Sequence, residues 1–311
     1  MDQIYIIGGA NIDIFGKAKH KINLHDSNIG NIEYCFGGVA RNIAENLTRL
    51  DHPVKLITVL ADDIFGKMLK EHCDSLNIDL SLSLTTSKST SSTYLALLDE
   101  HNDLLVGMAD MQILKALTTS YLKEIIDKIA FNDVVVLDTN LDKETINFVL
   151  TKLGAPVFVD PISMVKAEKL RDELKHIYML KPNRYEAESL SGIKITDANS
   201  AYMVLEYFLS HGVKEIVITL GVDGVLASDG KQYLWAHSKK VSTINATGAG
   251  DSFVAGYIDG YLKKHDLKAK LISAMALAEL TLISSQTVND KLDQISFINS
   301  INESTIYFEE L

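Results

Sequence analysis

Gly248-Ala249-Gly250-Asp251 lies between an alternating, strand-like run, Val241 to Asn245, and a helical one. The helical stripe is Phe253, Gly256, Tyr257, Gly260 and Tyr261, at the i, i+3, i+4, i+7 and i+8 positions of one face. Two glycines at a helix N-terminus let several backbone N–H groups converge on one point, where the helix dipole also favours negative charge. The stretch therefore predicts a phosphate site with the carboxylate of Asp251 beside it. A carboxylate repels a phosphate, so it is a poor choice for binding alone. It makes sense if it takes a proton from a hydroxyl that attacks the phosphate. The same residues also form a plain glycine turn with an acid in the first helical turn, so the rest of the chain must decide.

With 311 residues the chain has room for one large α/β domain with an insertion, or for two domains. A hydrophobic content of 47% with 23% charged residues is ordinary for a folded soluble protein. The net charge of −11 argues against DNA or RNA as a partner, since backbone-phosphate binding needs a basic face. A nucleotide stays open, because backbone amides hold one without any lysine. Cys35 and Cys73 form no CxxC, and the histidines form no ligand-spaced pair, which disfavours a zinc site or disulfide framework. Both thiols read as packing residues in a reducing compartment. Met1 to Gly9 reads as a first strand rather than a signal peptide. No segment approaches the roughly 18 apolar residues that span a bilayer, so no membrane partner is expected and a cytoplasmic location is.

Short apolar runs alternate with helical patterns. Strands are expected at Ile4–Gly8, Val54–Leu60, Val134–Asp138, Pro156–Asp160, Tyr178–Lys181 and Glu215–Leu220, with helices near 39–50, 64–76, 119–130, 142–153, 184–191 and 197–211. In the first helix Val39, Ile43, Leu47 and Leu50 make one face, and Arg41, Glu45 and Arg49 turn outward. Such alternation predicts a largely parallel sheet covered on both faces, with ligands at the strand C-terminal ends. Residues 14–36 and about 79–109 break the pattern with alternating stretches such as Thr93 to Leu98, followed by Leu104-Leu105-Val106 after a turn. These predict a small separate sheet serving as a lid; an antiparallel edge of the main sheet is the alternative.

The common nucleotide motifs are absent. Gly8-Gly9-Ala10-Asn11-Ile12-Asp13 lacks the third glycine of a dinucleotide fingerprint, and Gly66-Lys67 lacks the rest of a Walker loop. What is present is a distributed set, each part ending a strand or opening a helix. Asn11 and Asp13 follow the first strand, and Gly37-Gly38 precedes the helix carrying Asn42. Lys181-Pro182-Asn183-Arg184-Tyr185-Glu186 and Thr219-Leu220-Gly221-Val222-Asp223-Gly224 close two further strands, and Thr247 to Asp251 completes the set.

In order and context these blocks resemble the ribokinase-like (PfkB) carbohydrate and nucleoside kinases over essentially the whole chain. No single block is specific; the combination is. Within that family the resemblance is to the pseudouridine-kinase branch. It is carried by Asp26-Ser27-Asn28, Gly37 to Ala44, Thr90 to Leu95, Val159-Asp160-Pro161 with Lys166, and Leu180 to Arg184 with Glu186-Ala187-Glu188. The resemblance implies a three-layer α/β fold over 1–311, with a largely parallel central sheet flanked by helices and a lid formed discontinuously by about 14–36 and 79–109. It implies a kinase that uses ATP and Mg²⁺ to phosphorylate the 5′-hydroxyl of pseudouridine.

The roles so implied each have a plainer reading. Asp251 is the base, and the amides of Gly248, Ala249 and Gly250 are the anion hole. Asp13 grips two ribose hydroxyls, or is a turn former. Asn11, Gly37 and Gly38 shape the sugar site, and Asn42 bonds a ribose hydroxyl or is a surface helix residue. Asn183 and Glu186 organise Mg²⁺ through water, although the same pair is what an N-cap with an acid at N3 looks like. Thr219, Gly221 and Gly224, with Asn183, line the ATP site. Ser27 and Lys166 face the base, and Asn140 is a further pocket residue. An ordinary Asp, with a pKa near ~3.9, is ionised at neutral pH, so no tuning of Asp251 is expected.

Two departures matter. Val39 stands where ribokinases proper have a lysine, which disfavours free ribose. Asn245 stands where they carry an acid tied to a monovalent-cation site, which weighs against potassium activation. Competing functions are a kinase of the same fold acting on a purine nucleoside (adenosine or inosine) or on a free sugar (ribose or fructose), and a catalytically silent nucleotide-binding regulator. The exposed sheet face of the lid predicts a homodimer.

Overall fold

A computed structural model describes residues 2–239 and 243–311 of the chain. Strand β1 (Ile4–Ile7) is followed by β2 (Asn11–Ala18), β3 (Gly30–Gly37) and helix α1 (Val39–Arg49). Then come β4 (Val54–Ile57), β5 (Val59–Ala61), α2 (Ile64–Ser75), β6 (Leu84–Thr86), β7 (Thr93–Leu98) and β8 (Leu104–Asp110). The middle of the chain alternates: α3 (Thr119–Ile126), β9 (Val134–Asp138), α4 (Lys143–Lys152), β10 (Val157–Asp160), α5 (Met164–Ala167), β11 (Met179–Leu180), α6 (Arg184–Ser191), α7 (Ala198–Ser210) and β12 (Glu215–Thr219). It ends with β13 (Val225–Ser228), β14 (Tyr233–Ser238), α8 (Ala249–Leu262), α9 (Leu267–Leu282), α10 (Gln294–Glu303) and β15 (Ile306–Glu310).

Among the described residues the main sheet has nine strands in the order β15-β14-β13-β12-β11-β10-β9-β1-β4. From β4 to β12 all neighbours are parallel, and β13, β14 and β15 continue it antiparallel. The apolar runs are continuous because both faces are covered. Ile4 and Ile6 join the core under α1, α8 and α9, whereas Tyr5 and Ile7 join the core under α3, α4 and α7. This is the three-layer fold that the strand–helix alternation predicts. The antiparallel edge and the helices α9 and α10 go beyond what the sequence pattern showed.

Several expectations need correction. Val54–Leu60 is not one strand: it breaks at Thr58, and β5 pairs in parallel with β6 in a two-stranded sheet of its own. The small sheet is β3-β2-β7-β8, so it begins at Asn11, and the segment from 79 to 92 contributes no strand to it. Of the strand-like run 241–245, residues 241 and 242 lie outside the described residues, and Thr243 to Asn245 are not strand. Helix α8 is not amphipathic but buried from Asp251 to Gly260. The reason is packing: at Gly256 a Cβ would lie 2.6 Å from the Ser273 carbonyl oxygen, so α9 sits directly on the α8 backbone. Arg41 and Glu45 of α1 are buried rather than turned outward, because each has a charged partner inside. No helix among the described residues is long and apolar enough to cross a membrane.

The α8–α9 contact makes a direct test. Gly256→Ala is expected to lower stability in urea by about 1–3 kcal/mol through overpacking. Gly154→Ala, where nothing lies within 4 Å of the added carbon, is expected to be neutral or slightly stabilising.

Candidate active site

The C-terminal ends of the parallel strands converge on one region. β1 leads into Gly9, whose N–H donates to Asp138 Oδ2 at 2.7 Å; Asp138 closes β9. The Ala40 N–H reaches the same oxygen at 3.3 Å, so one buried carboxylate ties β1 to the start of α1. Burial pushes the Asp138 pKa up, opposed by the N–H groups of Gly9 and Asn140, by the side chain of Asn140 and by Lys166. Asn140 donates its side-chain amide to Asp138 at 3.2 Å and accepts from Lys166 Nζ at 2.6 Å. Asn140 and Lys166 thus belong to one chain of contacts, and burial pushes the Lys166 ammonium pKa down.

Asp13 sits on β2 with its carboxylate against Gly37 of β3. A Cβ at Gly37 would lie 2.3 Å from Asp13 Oδ2, so only glycine leaves the acid its place. Burial raises the Asp13 pKa to about 6, opposed by a hydrogen bond from Asn11 and by Arg41. Gly38 is the N-cap of α1 with φ 97°, and a Cβ there would meet the Gly9 carbonyl oxygen at 2.4 Å. That backbone is closed to other residues. Asn42 is buried, not a surface residue, and its Nδ2 donates to Asp251 Oδ2 at 2.7 Å. The Gly-Gly block and the GAGD block, some two hundred positions apart, meet through this bond.

Asp251 lies in the first turn of α8 and is 8% exposed. Gly248 caps the helix at φ 84°, with the Thr287 carbonyl oxygen 1.9 Å from where a Cβ would be. Among the described residues the amides of Gly248, Gly250 and Asp251 have no acceptor, while Ala249 N–H makes a long 3.4 Å bond to Ala246. Free N–H groups at a helix start are a ready site for an anion. Lys181, buried just after β11, comes up beneath them: its Nζ is 2.9 Å from Asp160 Oδ2 and 3.0 Å from the Cβ position of Gly250. Burial pushes this ammonium down, but Asp160, Glu186 and Asp251 outweigh it and hold it protonated. The expectation of an ordinary Asp251 is overturned. Burial, then Asp160, push its pKa to about 7 against Asn42, Lys181 and Arg41.

Residues 1–294 match the pfkB family of carbohydrate kinases. The chain belongs to that family. It is similar to the pseudouridine kinase of Escherichia coli (strain K12), 34% identical over 97% of both chains. Among solved structures it is similar to a carbohydrate kinase from Agrobacterium tumefaciens, with TM-score 0.84 and 25% identity over 99% of this chain and 100% of that one. It shares its fold with Arabidopsis thaliana ribokinase, solved with ribose and ATP, at TM-score 0.83 and 19% identity over 96% of this chain and 98% of that one. As a pfkB kinase the chain is a phosphotransferase with an alcohol acceptor, of the sugar or nucleoside class.

On the other side of this kinase's Asp251, β11 and β12 end side by side. Thr219 N–H donates to the Pro182 carbonyl at 3.0 Å, next to Asn183, and Leu220 N–H closes the Gly221–Asp223 turn on Gly224 at 2.8 Å. Asn183 and Glu186 form a full capping box at the start of α6, each accepting from the other's backbone N–H, with a further 2.8 Å side-chain bond. The N-cap reading of this pair is therefore realised. Their remaining lone pairs are hard oxygen donors, and burial followed by Asp160 raises the Glu186 pKa, with Lys181 opposing. A nearby cation would relieve that. Among the described residues no three or more His, Cys, Asp or Glu side chains are grouped to hold a metal. Two oxygen donors leave most of a cation's shell unfilled, so a magnesium ion held here would keep its waters.

A cavity of about 620 Å³ separates the small sheet from the loops 244–247 and 285–287. Phe15, Lys17, Glu33 and Cys35 line it, on the same sheet face as Asp13 by register. Thr247 is on its rim; Asp251, one turn farther along, is not in the lining. Ser27 lies in the exposed loop joining β2 to β3, where its N–H donates to Asp26 Oδ1 at 2.7 Å. Sequence reasoning missed Asp138, Asp160, Lys181 and Arg41 as site residues. Each sits at a strand end or beside a glycine pair, which was the available signal.

Lys181→Met leaves Asp160 buried without its cation and is expected to destabilise the protein by about 3–5 kcal/mol. Adding Asp160→Asn should recover part of that loss in a denaturant titration; no recovery would contradict the pairing.

Proposed function

We propose that this kinase transfers the terminal phosphoryl group of ATP to the 5′-hydroxyl of pseudouridine. The observation that carries the chemistry is Asp251: a carboxyl held by Asn42, set among unpaired helix-start amides and above a buried ammonium. The similarity to a pseudouridine kinase supports the substrate.

Asp251 accepts the hydroxyl proton as the oxygen attacks phosphorus, and ADP leaves with the electrons of the broken P–O bond. The amides of Gly248, Gly250 and Asp251, together with Lys181, face the charge on the moving group and need no rearrangement to do so. Ala249, whose N–H is already engaged, contributes helix geometry rather than a free donor. Asp13, next to Asn11, accepts the two ribose hydroxyls, and Gly37 and Gly38 let the sugar come close. Asn42 keeps one amide N–H for the sugar after serving Asp251. Thr219, Gly221 and Gly224 border the nucleotide, and Asn183 and Glu186 would hold magnesium through water, where it would supply charge neutralisation for the triphosphate. Base selection rests on Lys166 and Asn140, which present an ammonium and an amide, with Ser27 supplied by the loop of the small sheet. The small sheet acts as a lid that excludes water. Asn245 donates its side-chain amide to the Ser285 carbonyl at 3.2 Å, which engages that oxygen and weighs against a monovalent cation held by it.

The lid also supports a dimer. By register Ile14, Leu95 and Met108 form one row across the sheet face opposite Asp13 and Phe15, ending at Tyr34, which also borders the cavity, and Ile32, Gly16, Leu97 and Val106 form the next. Ile32 is 82% exposed and Met108 70%. A contiguous exposed apolar face of this kind marks an interface, and a second copy offers the self-complementary one. Wild type is expected to run as a dimer in sedimentation, and Ile32→Glu with Met108→Glu as a folded monomer. A monomeric wild type would refute this.

The substrate reading is tested by following ADP release with pseudouridine, uridine, adenosine, inosine, ribose and fructose. Pseudouridine should lead; turnover of adenosine or fructose with none on pseudouridine would replace it. Asp251→Asn is expected to lower kcat at least about a hundredfold with little change in KM. Because the base must be ionised, wild-type kcat/KM should fall as pH drops through about 7, and again through about 6 as Asp13 is protonated. A flat profile from pH 5 to 8 would remove both roles.

A further inference from the structure

Arg41 is the largest side chain among the fully buried ones, at 1% exposure, and nothing in the proposed chemistry uses it. A buried guanidinium persists only when its N–H groups are engaged, and here four have acceptors, with His72 Nε2 beside Nη1. Nε–H donates to the Gly37 carbonyl at 3.1 Å and one Nη2–H to the Phe36 carbonyl at 2.7 Å, both at the root of lid strand β3. The other Nη2–H donates to Asn42 Oδ1. Nη1 donates to Glu45 and lies 3.3 Å from His72 Nε2, whose ring stacks on Phe36 with centroids 4.0 Å apart. Glu45 is in turn held by Arg49 at 2.8 Å.

We propose that Arg41 is a positioning residue, which fixes the side-chain amide of Asn42 so that its N–H faces Asp251 and ties that orientation to the root of the lid. An asparagine amide turned by 180° keeps its shape and exchanges donor for acceptor. Arginine donates and never accepts, so an Asn42 bonded to Arg41 must turn its oxygen to the guanidinium and its nitrogen to Asp251. In that orientation Asn42 stabilises the carboxylate. Reversed, its oxygen would face Asp251 and stabilise the protonated acid, which cannot take a proton from the substrate. The same fork grips the carbonyls of Phe36 and Gly37, and Thr287 Oγ1 shares the Phe36 carbonyl at 3.2 Å. The lid root and the base are thus set by one planar group.

The surroundings of both ends are accounted for. Asp251 faces Asp160 of β10, Lys181 after β11, and Asn42 and Arg41 of α1. Arg41 faces Glu45 on its own helix, His72 and Cys73 of α2, and Asp13 and Cys35 of the lid. Apart from Arg41, Lys181 is the cation that favours an ionised Asp251, and it reaches the acid from the opposite strand end without touching Asn42.

This inference rests on Asp251 acting as the base. The test is Arg41→Lys, which keeps the charge beside Glu45 but loses the fork that reaches Asn42 and two carbonyls at once. Expected are a kcat at pH 7 lower by about tenfold, the cost of one hydrogen bond to the ionised acid, an acidic limb moved to higher pH, and recovery of most of the loss near pH 9. The KM for ATP should stay unchanged. A purely structural role would instead lower activity uniformly at every pH, and that result, or an unmoved limb, overturns the proposal. If Arg41→Lys does not fold, Asn42→Leu carries the test, since it removes both the acceptor for Arg41 and the donor for Asp251, and its limb must move the same way. In the Arg41→Lys/Asn42→Leu pair the second change should add no further shift. Undiminished turnover in Asp251→Asn removes the base itself; an inactive Asp251→Asn with an unmoved limb in Arg41→Lys removes this inference alone.

Discussion

An acid buried at the positive end of a helix is the constraint around which this structure is arranged. Asp251 has given up most of its water, and its ionised form survives near neutrality only because Asn42, Lys181 and Arg41 offset burial and Asp160. Each of those groups needs its own support. Lys181 needs Asp160, Asn42 needs Arg41, and Arg41 needs Glu45 and the carbonyls of Phe36 and Gly37. The supporting residues come from four elements: β3, α1, β10 and the end of β11. A parallel sheet brings such ends to one edge, which is why the fold suits a site assembled from scattered short blocks.

Glycine appears where that assembly leaves no room. Gly37 yields to the Asp13 carboxylate, Gly38 to the Gly9 carbonyl, and Gly248 to the Thr287 carbonyl. At the last two the backbone also takes positive φ. Gly250 faces the Lys181 ammonium, so the gap between helix start and buried cation stays open for a ligand. The small sheet divides its work by strand period. One face carries Asp13 with Phe15 and Lys17, the last two lining the cavity, and the other carries Ile14, Leu95 and Met108. A two-residue periodicity thus gives the two faces of a single layer different surroundings.

Much of this was legible beforehand. The alternation of apolar runs and helical stripes located the parallel strands and their helices within a residue or two, because both patterns follow from local geometry and burial; the exceptions are β4 and α3, which end three and four residues earlier than expected. The blocks around Asp13, Gly38, Asn183, Thr219 and Asp251 stood out because glycines and acids at strand ends are unusual enough to notice. Less was legible where a residue's surroundings come from distant chain. Arg41 and Glu45 carry charges at positions that a helical wheel turns outward, and only α2 and the lid root, packed against them, put them inside. Asp251 looks like any aspartate until Asp160 is placed beside it. The pair Asn183 and Glu186 carried two meanings, and the helix start realised the capping one while leaving lone pairs for the other.

What the chain determined by itself is the class of architecture, the family, and the list of short blocks from which a phosphotransfer site is built, since these depend on periodicity and on residue types at fixed spacings. Tertiary structure alone decided which charges face one another: that Asn42 meets Asp251, that Lys181 rises under Gly250, and that one guanidinium spans lid and base. Those are contacts between segments separated by tens to hundreds of positions, and electrostatics in a buried site depends on distances of a few ångströms that no local pattern encodes.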